Sequence, residues 1–274
     1  MSLLNKFENR YIIEGTLITE SPLHIGAGIN DFIPTAVDAA VIRDENNTPY
    51  IPGTSLKGVL RSNIEKLVAT GVLGNLKACN ILIQNGDSSE DTENYYNHIC
   101  VDDKTIKDIK KSVEENKKIK NKEEAIAQEI YAKQCDICKL FGGHGFASKI
   151  QINDSRALIS EGEKVYTQIR DGVAIDRDTL TKRDKAKYTF EQVAVGTKFD
   201  FKMTIDNLDS EHKVLFKLLI TLLESGEIRI GGKTSAGLGL IRLIDKKMYL
   251  IQGKEGLRSF YINNEIKNIG MEEL

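Results

Sequence analysis

The feature that most constrains the fold of this chain is a strand pattern followed directly by a helix pattern in its last third. In the stretch GTKFDFKMTIDN, apolar residues alternate with polar ones, namely Phe199, Phe201, Met203 and Ile205. Strict alternation is typical of a strand that buries one face and exposes the other. Residues 210–226 then have the apolar spacing of an amphipathic helix, with Ser210 at its start and Gly226 after its end. We therefore expect a sheet whose buried face is covered by helices.

Other segments extend this plan along the chain. Strands are predicted over 11–19, over 39–44, late in 140–158 and twice in 227–243, and a helix is predicted over 54–71. Without its insertions, the chain has the order strand, helix, strand, strand, helix, strand. This order predicts an α+β fold of the ferredoxin-like or RRM-like plan, in which an antiparallel sheet is backed by two helices.

Two insertions interrupt the plan, within what we predict to be a single domain of residues 1–274. Residues 75–145 form a polar, charged subregion that includes all four cysteines. Lysines are frequent between 104 and 122, but the Asp and Glu residues among them favour a solvated, partly helical surface over an RNA-binding run. Residues 160–192 have the composition of an extended β-hairpin that leaves the body of the fold.

The overall composition limits the class of protein. The chain has 274 residues, of which 41% are hydrophobic, so it is long enough for a substantial core. Its net charge is -2 and its pI is about 6.2, so an interaction with nucleic acid would have to depend on local charge. No run approaches the roughly 18 apolar residues of a membrane span, and the first residues lack the apolar core of a signal peptide. We expect a cytoplasmic protein that does not associate with membranes.

The helix over 54–71 is a candidate anion site. It follows a Pro-Gly turn, Thr54 or Ser55 can cap its start, and Lys57 and Arg61 lie one turn apart. The free N–H groups and dipole of a helix N-terminus favour an anion, so this is a place where phosphates can bind. The alternative is an ordinary capped helix whose basic residues are exposed to solvent.

The glycine-rich stretch 227–243 is similar to a phosphate-binding P-loop but fails its spacing. Gly232, Lys233 and Thr234 match the end of that pattern, whereas the glycine that it requires first would fall at Glu227. An apolar run follows where a P-loop would open a helix. We read the stretch as strand, turn and strand, with glycines that let something approach the backbone closely.

The cysteines predict a structural zinc site. Cys135 and Cys138 have the two-residue separation that allows both thiolates to reach one zinc, and Cys79 and Cys100 can complete four ligands. His98 competes for the fourth position, and free cysteines are the alternative. Four thiolates would leave no open coordination position for a substrate, which disfavours an unrelated catalytic metalloenzyme.

Three aspartates are candidates for catalysis. Asp31, Asp38 and Asp44 could bind a divalent cation or orient a water or hydroxyl group, although an Asp in a loop is more often a turn former. His24 could act as a general base, but a packed loop histidine is the simpler interpretation.

Taken in order, several stretches resemble one known family. They are LHIGAG, AVDAAVIRD, PYIPGTSLKGVLRS, CDICKLFGG, RDGVAIDRDT with KYTFEQVAVGTKFDFKM, and IGGKTSAGLGLIRL. They resemble the RAMP superfamily, in particular the backbone subunits of type III CRISPR effector complexes, and the resemblance spans about residues 11–243. It implies a subunit that assembles along a guide CRISPR RNA with further copies of itself or related RAMP subunits and with other effector subunits. The guide then pairs with a complementary target RNA.

The resemblance also implies roles for particular residues. The positions that would contact the guide RNA are Ser55, Lys57, Arg61, Gly231, Gly232, Lys233 and Thr234. The 160–192 hairpin matches a thumb-like element that disrupts one base pair per subunit, with Val173 and Ile175 as its apolar wedge.

Asp38 aligns with the essential aspartate of the members that cleave target RNA. The resemblance implies metal-dependent endoribonuclease activity, with Mg²⁺ or Mn²⁺, in which a ribose 2′-hydroxyl attacks its adjacent phosphate. Two alternatives stay open. One is a non-catalytic guide-binding scaffold in which Asp38 only orders its loop. The other is an endoribonuclease that processes repeat RNA, which would need a histidine base such as His24.

Overall fold

The structure is a computed structural model. It describes residues 3–27, 38–80, 99–160, 162–175, 177–178 and 182–274. The strands are β1 (Asn9–Thr19), β2 (Tyr50–Ile51), β3 (Ile150–Ile152), β4 (Ser155–Arg156), β5 (Thr167–Ile175), β6 (Lys182–Val193), β7 (Lys198–Asp206), β8 (Ile228–Arg229), β9 (Leu240–Gln252) and β10 (Lys267–Asn268). The α-helices are α1 (Gly53–Ala69), α2 (Asp103–Glu115), α3 (Lys122–Lys133), α4 (Asp136–Phe141), α5 (Lys213–Ser225) and α6 (Gly253–Asn263).

The main sheet is antiparallel at every pairing and has β1 near its centre. Its strand order is β10-β9-β1-β7-β3, and β8 also pairs with β9. In the register of β1, Ile13 lies opposite Met203 on one side and Met248 on the other. The elements β1, α1, β3, β7, α5 and β9 follow the β-α-β-β-α-β order of ferredoxin-like folds. The predicted mixed fold, with an antiparallel sheet and helices, is confirmed.

The core lies between the sheet and the helices α1 and α5. The alternation predicted for β7 is confirmed, because its four apolar residues are buried while its lysines are exposed. One face of α1 buries Leu56, Leu60 and Ile64, and α5 buries an apolar face that includes Phe216 and Leu219. Gly226, with a left-handed φ of 72°, ends α5 as the sequence predicts.

Residues 39–44 do not form the predicted strand. Ala39, Val41 and Arg43 each make an isolated bridge to a different segment, with Phe190, Gly26 and Pro49 respectively. A short apolar run has strand propensity, but here its hydrogen bonds are divided among three partners. The strand predicted late in 140–158 is present as β3, and it is the second strand of the ferredoxin-like plan.

The start of α1 also differs from the prediction. The helix begins at Gly53, and neither Thr54 nor Ser55 caps it with a side chain. The Gly53 N–H donates instead to Asp154 Oδ1 at 2.8 Å. A Cβ at position 53 would collide with the carbonyl group of Ile152, so only glycine lets the helix start this close to β3.

The first insertion is partly helical, as predicted. The helices α2 and α3 pack together over a small apolar cluster that includes Ile109, Val113 and Ile130. Within the described part of the chain, no helix is both long and apolar enough to cross a membrane.

The second insertion contains an antiparallel hairpin of β5 and β6, which form a sheet of their own. Bridges from Leu23 to Val193 and from Ala39 to Phe190 join the base of this hairpin to the loops after β1. Val173 and Ile175 lie in β5. The placement of their side chains lies outside what the structure describes.

Candidate functional site

Asp38 is held against β6 at Thr189. Its Oδ2 accepts hydrogen bonds from the Thr189 N–H at 2.6 Å and from Thr189 Oγ1 at 3.0 Å. The backbone hydrogen bond, and then the hydroxyl, keep the pKa of Asp38 below its ordinary value. The carboxylate is therefore ionised at neutral pH, and the residue is exposed to solvent. Asp31 lies outside the described residues.

Lys233 lies over two aromatic rings of the same strand. Its Nζ is 4.2 Å from the ring centroid of Tyr188 and 4.5 Å from that of Phe190, and it donates to Tyr188 Oη at 3.0 Å. The Tyr188 ring crosses Gly172 of β5, where a Cβ would collide with it. Tyr188 directly precedes Thr189 on β6, so Lys233 and Asp38 contact adjacent residues of one strand, whose side chains point to opposite faces.

The turn that carries Lys233 packs against the loop after β1. A Cβ on Gly231 would collide with the His24 carbonyl oxygen, and the Gly232 N–H donates to that oxygen at 2.8 Å. We predicted that the glycines admit an external backbone; at Gly231 and Gly232 the backbone that approaches belongs to the chain itself. Thr234 follows in a short 3-10 turn.

His24 is a packed residue. It is 7% exposed, its Nδ1 donates to the Glu191 carbonyl oxygen at 2.6 Å, and its ring meets Phe190 edge-on. Asp44 is a turn former, because its Oδ1 accepts the N–H groups of Asn46 and Thr48. Neither arrangement favours the catalytic roles considered from the sequence.

Sequence reasoning missed two residues of this neighbourhood, Tyr188 and Thr189. Their signal is faint: the segment KYTFEQ places aromatic residues two apart within an otherwise polar hairpin. Alternation on a strand puts Tyr188 and Phe190 on one face, where both meet Lys233.

The predicted phosphate-binding residues of α1 have different surroundings. Ser55 is half-buried, in the first turn. Lys57 Nζ donates to the Ile150 carbonyl oxygen at 3.3 Å, and partial burial, followed by the nearby charge of Arg61, lowers its pKa. The helix contacts β8, which leads into the glycine-rich turn.

Arg61, predicted to contact phosphate, is largely buried and is not the solvent-exposed residue of the alternative interpretation. Its guanidinium contacts Glu65, the carbonyl oxygen of Gly142 and the sulfur of Cys138, and its side chain is 13% exposed. The charge and spacing of residues along the helix could not show this, because Arg61 contacts residues near the end of the first insertion, 81 and 77 residues away in sequence.

All four cysteines converge at one point. The sulfur atoms of Cys79, Cys100, Cys135 and Cys138 lie within 4.8 Å of one another, and those of Cys79 and Cys138 are 3.5 Å apart. Sulfur atoms at the corners of a zinc tetrahedron are about 3.8 Å apart, given Zn–S bonds of about 2.3 Å. The arrangement can therefore hold a metal such as zinc.

Local structure explains how the cysteines meet. Cys135 caps the N-terminus of α4, where its sulfur accepts the Cys138 N–H at 3.4 Å. The Asp136 N–H donates to the Lys77 carbonyl oxygen at 3.0 Å, and Asp136 Oδ2 accepts the Lys77 N–H at 2.6 Å, which fixes Cys79 beside the helix. Hydrogen bonds from Cys135 and the other thiols lower the pKa of Cys100. His98 lies outside the described residues.

Comparison with known proteins places this geometry in a family. A family model described as the RAMP superfamily matches residues 16–242, from β1 to β9. The chain belongs to the RAMP superfamily. The match includes α1, the cysteine cluster, the hairpin, β7 and α5 of this RAMP protein, so the resemblance found in the sequence is confirmed.

Two curated relatives are similar to this RAMP chain. The "CRISPR system Cms endoribonuclease Csm3" of Methanocaldococcus jannaschii is 26% identical over 269 residues, which cover 94% of this chain and 86% of that protein. The protein of the same name from Methanothermobacter thermautotrophicus is 39% identical over 61 residues, 22% of this chain and 25% of that protein.

Proposed function

We propose that this chain is a backbone subunit of a type III CRISPR effector complex, which binds guide RNA and cleaves complementary target RNA. The observation that carries the proposal is the exposed, ionised carboxylate of Asp38, anchored to Thr189 on the hairpin strand. The preceding residue of that strand, Tyr188, contacts Lys233. The names of both relatives, which call them CRISPR endoribonucleases, support a nuclease over a scaffold.

The guide RNA would lie along the surface that α1 and the glycine-rich turn share. Ser55, Lys57 and Lys233 are the residues that we assign to its phosphates, since an ammonium group is a compact partner for a phosphate. Gly231, Gly232 and Thr234 shape the turn that presents Lys233. The β5–β6 hairpin would separate one base pair, with Val173 and Ile175 as the wedge.

Cleavage would proceed by attack of a ribose 2′-oxygen on the adjacent phosphorus. The P–O5′ bond breaks, the hydroxyl proton leaves to solvent and the 5′-oxygen takes up a proton, which yields a 2′,3′-cyclic phosphate and a 5′-hydroxyl. Asp38 would orient the attacking hydroxyl, and a splayed nucleotide permits the in-line geometry that a regular helix disfavours. A Mg²⁺ or Mn²⁺ ion at Asp38 would supply acidity to the hydroxyl and charge stabilisation at the phosphate.

The cysteine cluster would hold structural zinc. Its four sulfur ligands leave no position for substrate, so its role is to fix α4 and the segment at Cys79 against α1.

A test uses the complex assembled on a guide RNA, with complementary targets that differ in one atom. The control target is all RNA, and the test target has a single 2′-deoxy nucleotide on the 5′ side of one cleavage position. We expect a ladder of products with cyclic-phosphate ends from the control, and the loss of one band from the test target. Persistence of that band, with 3′-hydroxyl ends, would contradict 2′-hydroxyl attack.

A second candidate, a non-catalytic guide-binding scaffold, has one observation in its favour. The hydrogen bonds between Asp38 and Thr189 also join the loop before Ala39 to the hairpin, which is a structural role by itself. A complex that binds guide and target but produces no cleavage ladder would favour this function.

A further inference from the structure

The contacts of Arg61 have no role in the guide-RNA binding proposed above. Its Nε donates to Glu65 Oε1 at 2.7 Å, its Nη1 to the Gly142 carbonyl oxygen at 2.8 Å, and its Nη2 to Cys138 Sγ at 3.3 Å. All three nitrogens of the guanidinium therefore donate a hydrogen bond. One bond stays within α1, one reaches the turn after α4, and one reaches a candidate metal ligand. Two of its five N–H groups remain, and only 13% of the side chain is exposed, so little of the guanidinium is open to an RNA phosphate.

The turn after α4 is built closely around Cys138. Gly142 has a φ of 90°, and its N–H donates to the Cys138 carbonyl oxygen at 3.0 Å. A Cβ on Gly143 would lie 3.1 Å from Cys138 Sγ, so the backbone passes very near this sulfur. The carbonyl groups at the end of a helix lack partners within it, and the Arg61 contact with Gly142 supplies one here. Arg61 thus joins both the sulfur and the turn that encloses it.

The charge of a zinc tetrathiolate gives this contact its importance. Four thiolates and one Zn²⁺ carry a net charge of about -2, and Cys138 is 1% exposed. A buried charge of that kind needs hydrogen bonds and opposite charge nearby. An arginine guanidinium is always charged in proteins, so Arg61, in contact with Cys138 Sγ, supplies that opposite charge.

We propose that Arg61 is a positioning residue of the metal site and not a guide-phosphate contact. Its guanidinium holds Cys138 and the Gly142 turn in place for metal binding and offsets part of the charge of the bound thiolates. The inference rests on the zinc site proposed above, although it does not depend on RNA cleavage. Partners of this kind, outside the ligand set, typically change metal affinity by about 10- to 100-fold when removed.

The experiment compares Arg61→Gln with the matched variant Arg10→Gln. Arg10 also pairs with a carboxylate, Asp206 at 2.5 Å, but that contact lies between β1 and β7. Zinc-loaded protein is mixed with a chelating dye, and the rate of zinc transfer is measured. We expect Arg61→Gln to release zinc about 10- to 100-fold faster than wild type, and Arg10→Gln to release it at the wild-type rate.

Guide-RNA affinity at saturating zinc separates the two roles of Arg61. The proposal predicts that Arg61→Gln binds guide RNA as wild type does, while Lys57→Gln binds it more weakly. An unchanged zinc release rate together with weakened guide binding would overturn the proposal and restore the phosphate contact. A wild-type protein that holds no zinc would overturn it as well, without bearing on target cleavage.

A milder variant keeps the test informative if Arg61→Gln does not fold. Glu65→Gln leaves the guanidinium present but removes the carboxylate that orients it. We expect a smaller increase in zinc release, together with a change in the charge-transfer band of the Co²⁺-substituted protein. A Glu65→Gln variant with wild-type release and an unchanged band would contradict the positioning role.

Discussion

The proposed cleavage depends on single residues that hold Asp38 in place, and Thr189 is the clearest case. It contributes two of the hydrogen bonds that hold Asp38, one from its backbone and one from its hydroxyl. Thr189→Val removes the second, together with a weaker bond in which the Asp38 N–H donates to Thr189 Oγ1 at 3.3 Å. Since one hydrogen bond to a charged group contributes about 1.5 kcal/mol, we expect single-turnover cleavage to slow by about tenfold.

That prediction is checked with the assembled complex and saturating target RNA. Thr189→Ser, which keeps the hydroxyl, serves as the control and should retain most of the wild-type rate. Equal rates for Thr189→Val and wild type would show that the hydroxyl does not position Asp38.

The glycines of the C-terminal turn should respond differently to substitution. Gly231 and Gly237 have φ values of 83° and 91°, so alanine at either costs about 1–2 kcal/mol of backbone strain. A Cβ at Gly231 also collides with His24, whereas no described atom lies within 4 Å of a Cβ at Gly237. We expect Gly231→Ala to lower the free energy of unfolding by about 1–3 kcal/mol more than Gly237→Ala in urea denaturation. Equal losses would mean that the His24 loop yields easily.

The helices and strands show how much of the fold could be predicted from the sequence. The spacing of hydrophobic residues was sufficient to predict β1, α1, β7 and α5, because each of these elements buries one apolar face in the core. It failed at 39–44, where the backbone bridges to separate partners. These partners are set by the tertiary fold and not by local propensity.

The partners of individual side chains, when these partners are distant in sequence, were harder to predict than the type of each element. The position of Arg61 on α1 was evident, but its actual partners, Gly142 and Cys138, lie 81 and 77 residues away near the end of the first insertion. Similarly, the glycines of the turn predicted a close approach without saying that the partner is His24. The cysteine spacing succeeded because two ligands on one short helix leave few possible geometries.

The elements β3, α3 and the loop before α5 meet at a buried lysine. Lys149 Nζ, with its side chain 0% exposed, donates to Asp209 Oδ2 at 2.7 Å and to Tyr131 Oη at 2.8 Å. Burial alone would raise the pKa of Asp209, but hydrogen bonds from His212, Lys149 and Tyr131 hold it well below its ordinary value. A carboxyl group with a depressed pKa stabilises the fold above its unfolded pKa of about 4, and that contribution is lost as pH falls further.

We therefore expect Lys149→Met to lower the free energy of unfolding by about 3 kcal/mol at pH 7, because Asp209 loses its buried partner. The matched variant is Lys202→Met, whose ion pair with Glu14 is exposed at 46% and 41%, and it should change stability by less than about 1 kcal/mol. Urea denaturation at pH 7 and pH 3.5 measures both. A similar loss for the two variants would contradict the role given to Lys149.

At the scale of the whole molecule, two kinds of metal should be separable. Brief treatment with EDTA should stop target cleavage and leave the thermal midpoint unchanged, because the ion proposed at exposed Asp38 would exchange faster than zinc at the buried cysteines. Removal of zinc by a stronger chelator should lower the midpoint, since the cysteine cluster joins α4 to the rest of the core. A midpoint that zinc removal leaves unchanged would mean that the cysteines do not hold structural zinc.

The central claim is that Asp38 carries out RNA-guided cleavage, and one comparison tests it most directly. Complexes assembled with wild type, Asp38→Ala or Asp44→Ala receive end-labelled complementary RNA and Mg²⁺; Asp44 is the control because it only closes a turn. The account predicts a regularly spaced ladder from wild type and Asp44→Ala and none from Asp38→Ala, with target binding intact in all three. An undiminished ladder from Asp38→Ala would contradict it and move the chemistry to another residue or subunit.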